Sequence, residues 1–94
     1  MLMLLYYVYI LRSRKTGIYY TGYTVDLARR LREHNYGQTI SLRKHRPLEI
    51  IYKEEYNSVN DARARERQIK RYKSGEAFKR LINKTMPPTP LAGY

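Results

Sequence analysis

Residues Met1–Leu11 read MLMLLYYVYIL, an apolar run that any fold of this chain must hide from water. A membrane-spanning helix needs about 20 such residues, so this run is too short to cross a bilayer. It has no basic segment before it and no small-residue cleavage site after it, so it does not read as a secretion signal. Its aromatic and β-branched content predicts a buried strand, and the expected location is the cytoplasm.

The rest of the pattern builds on that strand. A first strand is predicted over Tyr6–Arg12, a turn over Ser13–Gly17 and a second strand over Ile18–Thr21, with Gly17 supplying the flexible turn position. Gly22 either breaks the second strand or lets another group come close. Thr24 or Asp26 can cap a helix that carries Leu27 and Leu31 and ends by Asn35–Gly37. Gln38–Pro47 lacks periodicity and reads as a loop, and Leu48–Tyr56 as a third strand. Ser58 opens a second helix running to about Lys73, where Ser74-Gly75 ends it, and Glu76–Asn83 forms a short last helix. The predicted fold is α/β of the α+β type: a small three-stranded, mainly antiparallel sheet flanked by helices, in the order β-β-α-β-α-α. One domain is expected over residues 1–84, followed by a flexible proline-containing tail over 85–94.

With 94 residues the chain has room for one modest core, which excludes a two-lobed enzyme. Its 19 Lys and Arg against 8 Asp and Glu give a net charge of +11, which points to a polyanionic partner or an acidic surface. A hydrophobic content of 43% with 11 tyrosines argues against disorder. Cysteine is absent, which excludes disulfides, thiolate zinc sites and a cysteine nucleophile. With only 2 histidines, an all-histidine metal centre is implausible too.

Two positions are chemically odd. On the second helix the apolar stripe Val59, Ala62, Ile69 is interrupted at Glu66, and an inward carboxylate needs a partner: a salt bridge to a nearby arginine, or a metal. On the first helix Leu27, Arg30, Leu31 and His34 share one face, so Arg30 and His34 flank an apolar contact. A snorkelling arginine stem over the core edge is the structural alternative. The tyrosines Tyr6, Tyr7, Tyr9, Tyr19, Tyr20 and Tyr23 crowd the hairpin, where cross-strand packing accounts for most of them.

Taken together, Tyr7-Val8-Tyr9, then Tyr20-Thr21-Gly22 with eleven positions from Tyr9 to Tyr20, then Arg30 and His34 in DLARRLREH, then Glu66 in ARARERQIK, resemble the GIY-YIG nuclease family. The likeness extends to about Asn83 and is greatest to the small stand-alone branch, close to the nuclease domain of the bacterial excision-repair C subunit. Tyr7 stands in place of the family's glycine, and Thr21 in place of its central aliphatic residue. The literal Gly17-Ile18-Tyr19 is not the first motif, because it directly precedes the second.

The resemblance implies a divalent-metal phosphodiesterase acting on DNA, with RNA as an alternative. Glu66 matches the metal carboxylate, and one carboxylate with waters and a phosphate oxygen suits Mg²⁺ or Mn²⁺. Tyr9 and Tyr20 match the motif tyrosines, one of which would orient or deprotonate the attacking water, although a phenol starts near pKa ~10. Arg30 matches the arginine that neutralises charge on the phosphorus. His34 fits proton transfer or water orientation, and Asn83 matches a late asparagine that supports the site. Arg63, Arg65, Arg67, Lys70, Arg71 and Lys73 would make the second long helix a basic ridge, joined by Arg43, Lys44 and Arg46 on the loop, together tracking a phosphate backbone without reading bases. The expected activity is structure- rather than sequence-directed cleavage, in repair, with a protein partner for targeting as one option. The alternative is a nucleic-acid-binding module that keeps the scaffold without turnover. No membrane partner is expected, and the oligomeric state is left open.

Overall fold

A computed structural model describes residues 4–85, so the expected tail lies, from residue 86 on, outside the described residues. Strand β1 (Tyr6–Ser13) is followed by β2 (Tyr19–Thr24), helix α1 (Leu27–Asn35), a 3₁₀ segment (Ile40–His45), β3 (Leu48–Tyr56), and helices α2 (Val59–Tyr72) and α3 (Glu76–Thr85). The sheet order is β2-β1-β3 with both pairs antiparallel. This is the predicted α+β architecture, with the apolar N-terminal strand at its centre. Val8, Ile10 and Leu11 are almost wholly buried there.

Strand alternation divides the core into two layers. Val8 and Ile10 face α2 and α3, joining Tyr52, Ala62, Ile69, Phe78 and Leu81. Tyr9 and Leu11 face the other way, onto Leu42 and Leu48, with Leu27 and Leu31 of α1 packed beside them. The register between β1 and β3 shifts at Ile10/Leu11, and this lets Ile51 and Tyr52 both join the α2 side.

Several boundaries differ from expectation for physical reasons. Gly22 does not break β2, which runs on to Thr24 because the whole segment pairs with β1. Gly17 does supply the turn, at φ +80°. Asp26 rather than Thr24 caps α1, its carboxylate accepting from the Arg29 N–H at 3.1 Å. The expected loop contains the 3₁₀ segment, whose Leu42 is buried against Tyr9 and Leu11: one apolar side chain gave the turn a reason to form where periodicity gave none. The second helix ends at Tyr72, because Lys73, two residues before Gly75, adopts φ +52°.

A charged clamp fixes α2 to β3. Arg65 grips the Glu54 carboxylate with two N–H groups, each at 2.9 Å, while Tyr56 donates to it at 2.5 Å and Tyr52 donates to its other oxygen. This removes Arg65 from the basic ridge expected on the outer face. Burial disfavours the charged carboxylate, but the bonds from Arg65, Tyr52 and Tyr56 outweigh it and hold Glu54 below its ordinary pKa. Burial and the same carboxylate push both phenols up to about 12, so they remain donors.

Glu54 and Arg65 are only 18% and 21% exposed, so Arg65→Leu should lower the unfolding free energy by about 2 kcal/mol at pH 7, between the ranges for surface and buried pairs. Glu54 titrates lower in the folded state than in the unfolded chain. Its contribution is therefore complete above the unfolded carboxylate value of about 4.3 and is lost as pH falls through the folded value. Urea melts of the two proteins should accordingly converge in acid; a deficit independent of pH would assign the loss to packing instead.

Candidate active site

The register places Tyr9 opposite Gly22 and Leu11 opposite Tyr20, so Tyr9 and Tyr20 lie diagonally on one face of the hairpin. Gly22 is what lets them meet. A Cβ there would sit 2.6 Å from the Tyr9 hydroxyl oxygen and 3.3 Å from the Tyr20 ring. The Tyr9 side chain thus lies across the bare backbone of β2, with its hydroxyl held under α1.

That hydroxyl meets His34, which is fully buried, at 3.1 Å from Nε2. The Tyr20 ring sits edge-on to the imidazole with centroids 5.2 Å apart. The other imidazole nitrogen, Nδ1, lies 2.6 Å from Thr39 Oγ1. Arg30, one turn before His34, donates to Glu33 at 2.9 Å, and its charge acts on the Tyr9 phenol. The assignment that gives the Tyr9 proton an acceptor has Tyr9 O–H donating to Nε2 and Nδ1–H donating to Thr39.

Electrostatics follow from this burial. Desolvation pushes the Tyr9 phenol up to about 12 despite the opposing pull of Arg30, and the charges of Tyr20 and Glu66 push the same way. Burial, reinforced by the Arg30 charge, lowers His34 below its ordinary 6.5. At neutral pH the pair is therefore a protonated phenol bonded to a neutral imidazole. Arg30 is held firmly cationic by Glu33 and Tyr9.

Glu66 belongs to the opposite layer, yet its charge acts on Tyr9. Its side chain is 17% exposed and pairs with Lys70, one turn on, at 3.1 Å. The anticipated partner was an arginine; the structure supplies a lysine, itself 52% exposed and able to swing away. Among the described residues no three His, Cys, Asp or Glu cluster as a metal cage. A lone carboxylate beside an anionic substrate is nonetheless the sparse donor set that Mg²⁺ accepts.

The remaining sequence candidates separate. Arg63, Arg67, Lys70 and Arg71 are exposed along α2. Arg43, Lys44 and Arg46 line a cleft of about 460 Å³ together with Lys15 and Asn35. Lys15 was missed because it sits in the hairpin turn, far from that loop in sequence. Asn83 is apart from the tyrosine–histidine cluster, exposed on α3 in a smaller cleft with Arg12, Tyr19 and Glu49. Tyr19 packs on Phe78 on the other side of the sheet. Thr39 and Glu33 were also missed. Glu33 follows Arg30 by one helical turn and so carried a signal, whereas Thr39 lies in an aperiodic stretch and carried none.

Gly22→Ala should force the Tyr9 ring from its seat and cost about 1–3 kcal/mol, the range for overpacking. The displaced ring would also admit water to His34, raising the imidazole pKa toward 6.5 in an NMR titration. An unchanged His34 titration would mean that the ring adjusts without leaving.

Comparison with known proteins identifies the family. The GIY-YIG catalytic domain family matches residues 5–80. A UPF0213 protein of Staphylococcus saprophyticus is 35% identical over 75 residues, covering 79% of this chain and 90% of the relative. One from Haloquadratum walsbyi is 38% identical over 68 residues, 71% of this chain and 75% of that one. The solution NMR structure of a UPF0213 protein from Bacillus halodurans superposes with a TM-score of 0.56 at 28% identity, covering 88% of each chain. The matched span takes in both tyrosines, Arg30, His34 and Glu66, and on that footing the chain belongs to the GIY-YIG family, whose nuclease domain makes nucleic acid its substrate class.

Proposed function

We propose that this protein is a divalent-metal-dependent DNA endonuclease that hydrolyses phosphodiester bonds and is directed by DNA structure rather than sequence. The observation that carries the reading is the meeting of the Tyr9 hydroxyl with neutral His34 and cationic Arg30, with the Glu66 carboxylate acting on the same hydroxyl. That set offers a proton route, a charge for the phosphate and a metal ligand, a combination with no structural need for all three.

At neutral pH Tyr9 is no base, because its own proton must leave first. The neutral His34 Nε2 is placed to take it. In the proposed step the attacking water gives a proton to the Tyr9 oxygen as the Tyr9 proton passes to His34. The resulting hydroxide forms the new P–O bond, and the departing alkoxide takes a proton from solvent. Arg30, oriented by Glu33, faces the charge that develops on the non-bridging oxygens. Tyr20 holds the imidazole edge. Glu66 would hold Mg²⁺ or Mn²⁺, with Lys70 displaced toward the phosphate, and the ion would polarise the phosphodiester. The exposed α2 cations and the Lys15–Arg46 cleft would neutralise flanking phosphates.

Glu66→Gln should lower Mg²⁺-dependent cleavage by roughly 100-fold or more with DNA affinity nearly unchanged. Parental cleavage by this variant would return Glu66 to the role of salt-bridge partner. A parent that binds DNA but cuts no oligonucleotide with either ion would be a binding module on a nuclease scaffold. The relay needs neutral His34, so activity should persist as pH falls to 6.5 and decline only below it, through the lowered imidazole value. His34→Gln should abolish that limb of the kcat/KM profile. If about five phosphates are contacted, log affinity against log salt should slope by roughly −4 to −5, and replacing Arg63 and Arg67 with alanine should flatten it by about 2 on all sequences alike. A slope near zero would assign the +11 charge to another purpose.

A further inference from the structure

Beside the cluster, where β2 passes the α2–α3 corner, lies a second cleft of about 460 Å³ that the chemistry above does not use. Its wall is apolar and aromatic: Ile18, Tyr19, Ile69 and Phe78, with the Tyr19 and Phe78 rings edge-to-face at 5.0 Å. Ile69 and Phe78 are buried, but Ile18 and Tyr19 remain 36% and 42% exposed, so the wall carries apolar surface open to solvent. Its rim is cationic, formed by Lys70 and Lys73. Lys73 stands there at φ +52°, a conformation costly for a side chain-bearing residue, while Gly75 lies two positions on.

The cleft shares two residues with the candidate active site. Tyr20 lines it and also packs on His34; Lys70 lines it and also pairs with Glu66. A strand whose phosphate lies at Arg30 and Glu66 would therefore bring a neighbouring nucleotide to this opening. Aromatic and aliphatic walls under two ammonium groups match one unit of single-stranded nucleic acid, a flat apolar base with an adjoining phosphate. A base inside a duplex has both faces stacked and cannot enter; an unpaired or extruded one can.

We propose that this cleft between β2 and the α2–α3 corner is a nucleobase subsite. It seats one unpaired base next to the scissile phosphate, with Lys70 and Lys73 on the adjoining phosphates, and it selects junctions, overhangs or flaps over continuous duplex. The inference rests on the nuclease reading for its position relative to the cut, but base binding itself does not require cleavage.

The test separates the two. Affinity is measured without divalent metal for a flapped DNA and for the same DNA with an abasic residue at the unpaired position nearest the junction, which keeps the phosphate and removes the base. The parent protein should prefer the base-bearing flap on the order of tenfold, within the range for one stacked base. Tyr19→Ala and Ser74→Trp, the first removing a wall and the second filling the mouth from an exposed position, should each bring the ratio toward one. A base preference in a protein that cuts nothing would keep the subsite and overturn the nuclease reading. Equal binding and equal cleavage of the two flaps by the parent would overturn the subsite and leave the nuclease reading standing. A parental preference that both variants retain would place base recognition elsewhere and overturn it as well.

Discussion

The contact between the Tyr9 hydroxyl and His34 Nε2 is the interaction on which the candidate site depends. It joins the central strand to α1 through two side chains that are almost wholly buried. Buried polar groups must be partnered, and here each partner is supplied by a different segment: Tyr9 by β1, His34 by α1 and Thr39 by the turn that follows. Gly22 makes the arrangement sterically possible, since any side chain at that position would occupy the place of the phenol. The same burial that stabilises the arrangement also sets its chemistry. It keeps the phenol protonated and the imidazole neutral.

The opposite layer contributes through a different device. Arg65 is committed to Glu54 in a bidentate grip reinforced by two phenols, and this fixes the rotation and height of α2 on β3. Its neighbour Glu66 is then carried to an adjacent face of the same helix, within electrostatic reach of Tyr9. Adjacent residues on a helix point about 100° apart, so one can anchor while the next is presented. That carboxylate is only 17% exposed and pairs with Lys70, whose side chain is 52% exposed. In the reading proposed above, this is the carboxylate that would hold the metal ion.

Charge is similarly divided between holding and binding. Arg65 is pinned by Glu54 and serves fixed geometry, and Arg30 is oriented by Glu33. The exposed cations of α2 and the cleft formed by Lys15, Arg43, Lys44 and Arg46 serve the long-range field. The apolar cleft with Lys70 and Lys73 at its rim lies between these two populations, touching the site on one side and solvent on the other.

The sequence by itself determined the order of strands and helices, the burial of the first strand and the shared face of Leu27, Arg30, Leu31 and His34, because periodicity and local capping are written in neighbouring residues. It also marked Glu66 as anomalous on an inward stripe, and Gly22 as either a strand break or a place of close approach, of which the structure chose the second. Only the tertiary structure decided which cations are free: Arg63, Arg65 and Arg67 read alike along the chain, and only the packing of α2 on β3 sets Arg65 against Glu54. It likewise decided that Leu42 folds its loop into a 3₁₀ segment, that Thr39 closes the imidazole and that Lys15 joins a distant basic cleft. These depend on pairings between residues far apart in sequence, which strand register and layer packing create and which no local pattern encodes.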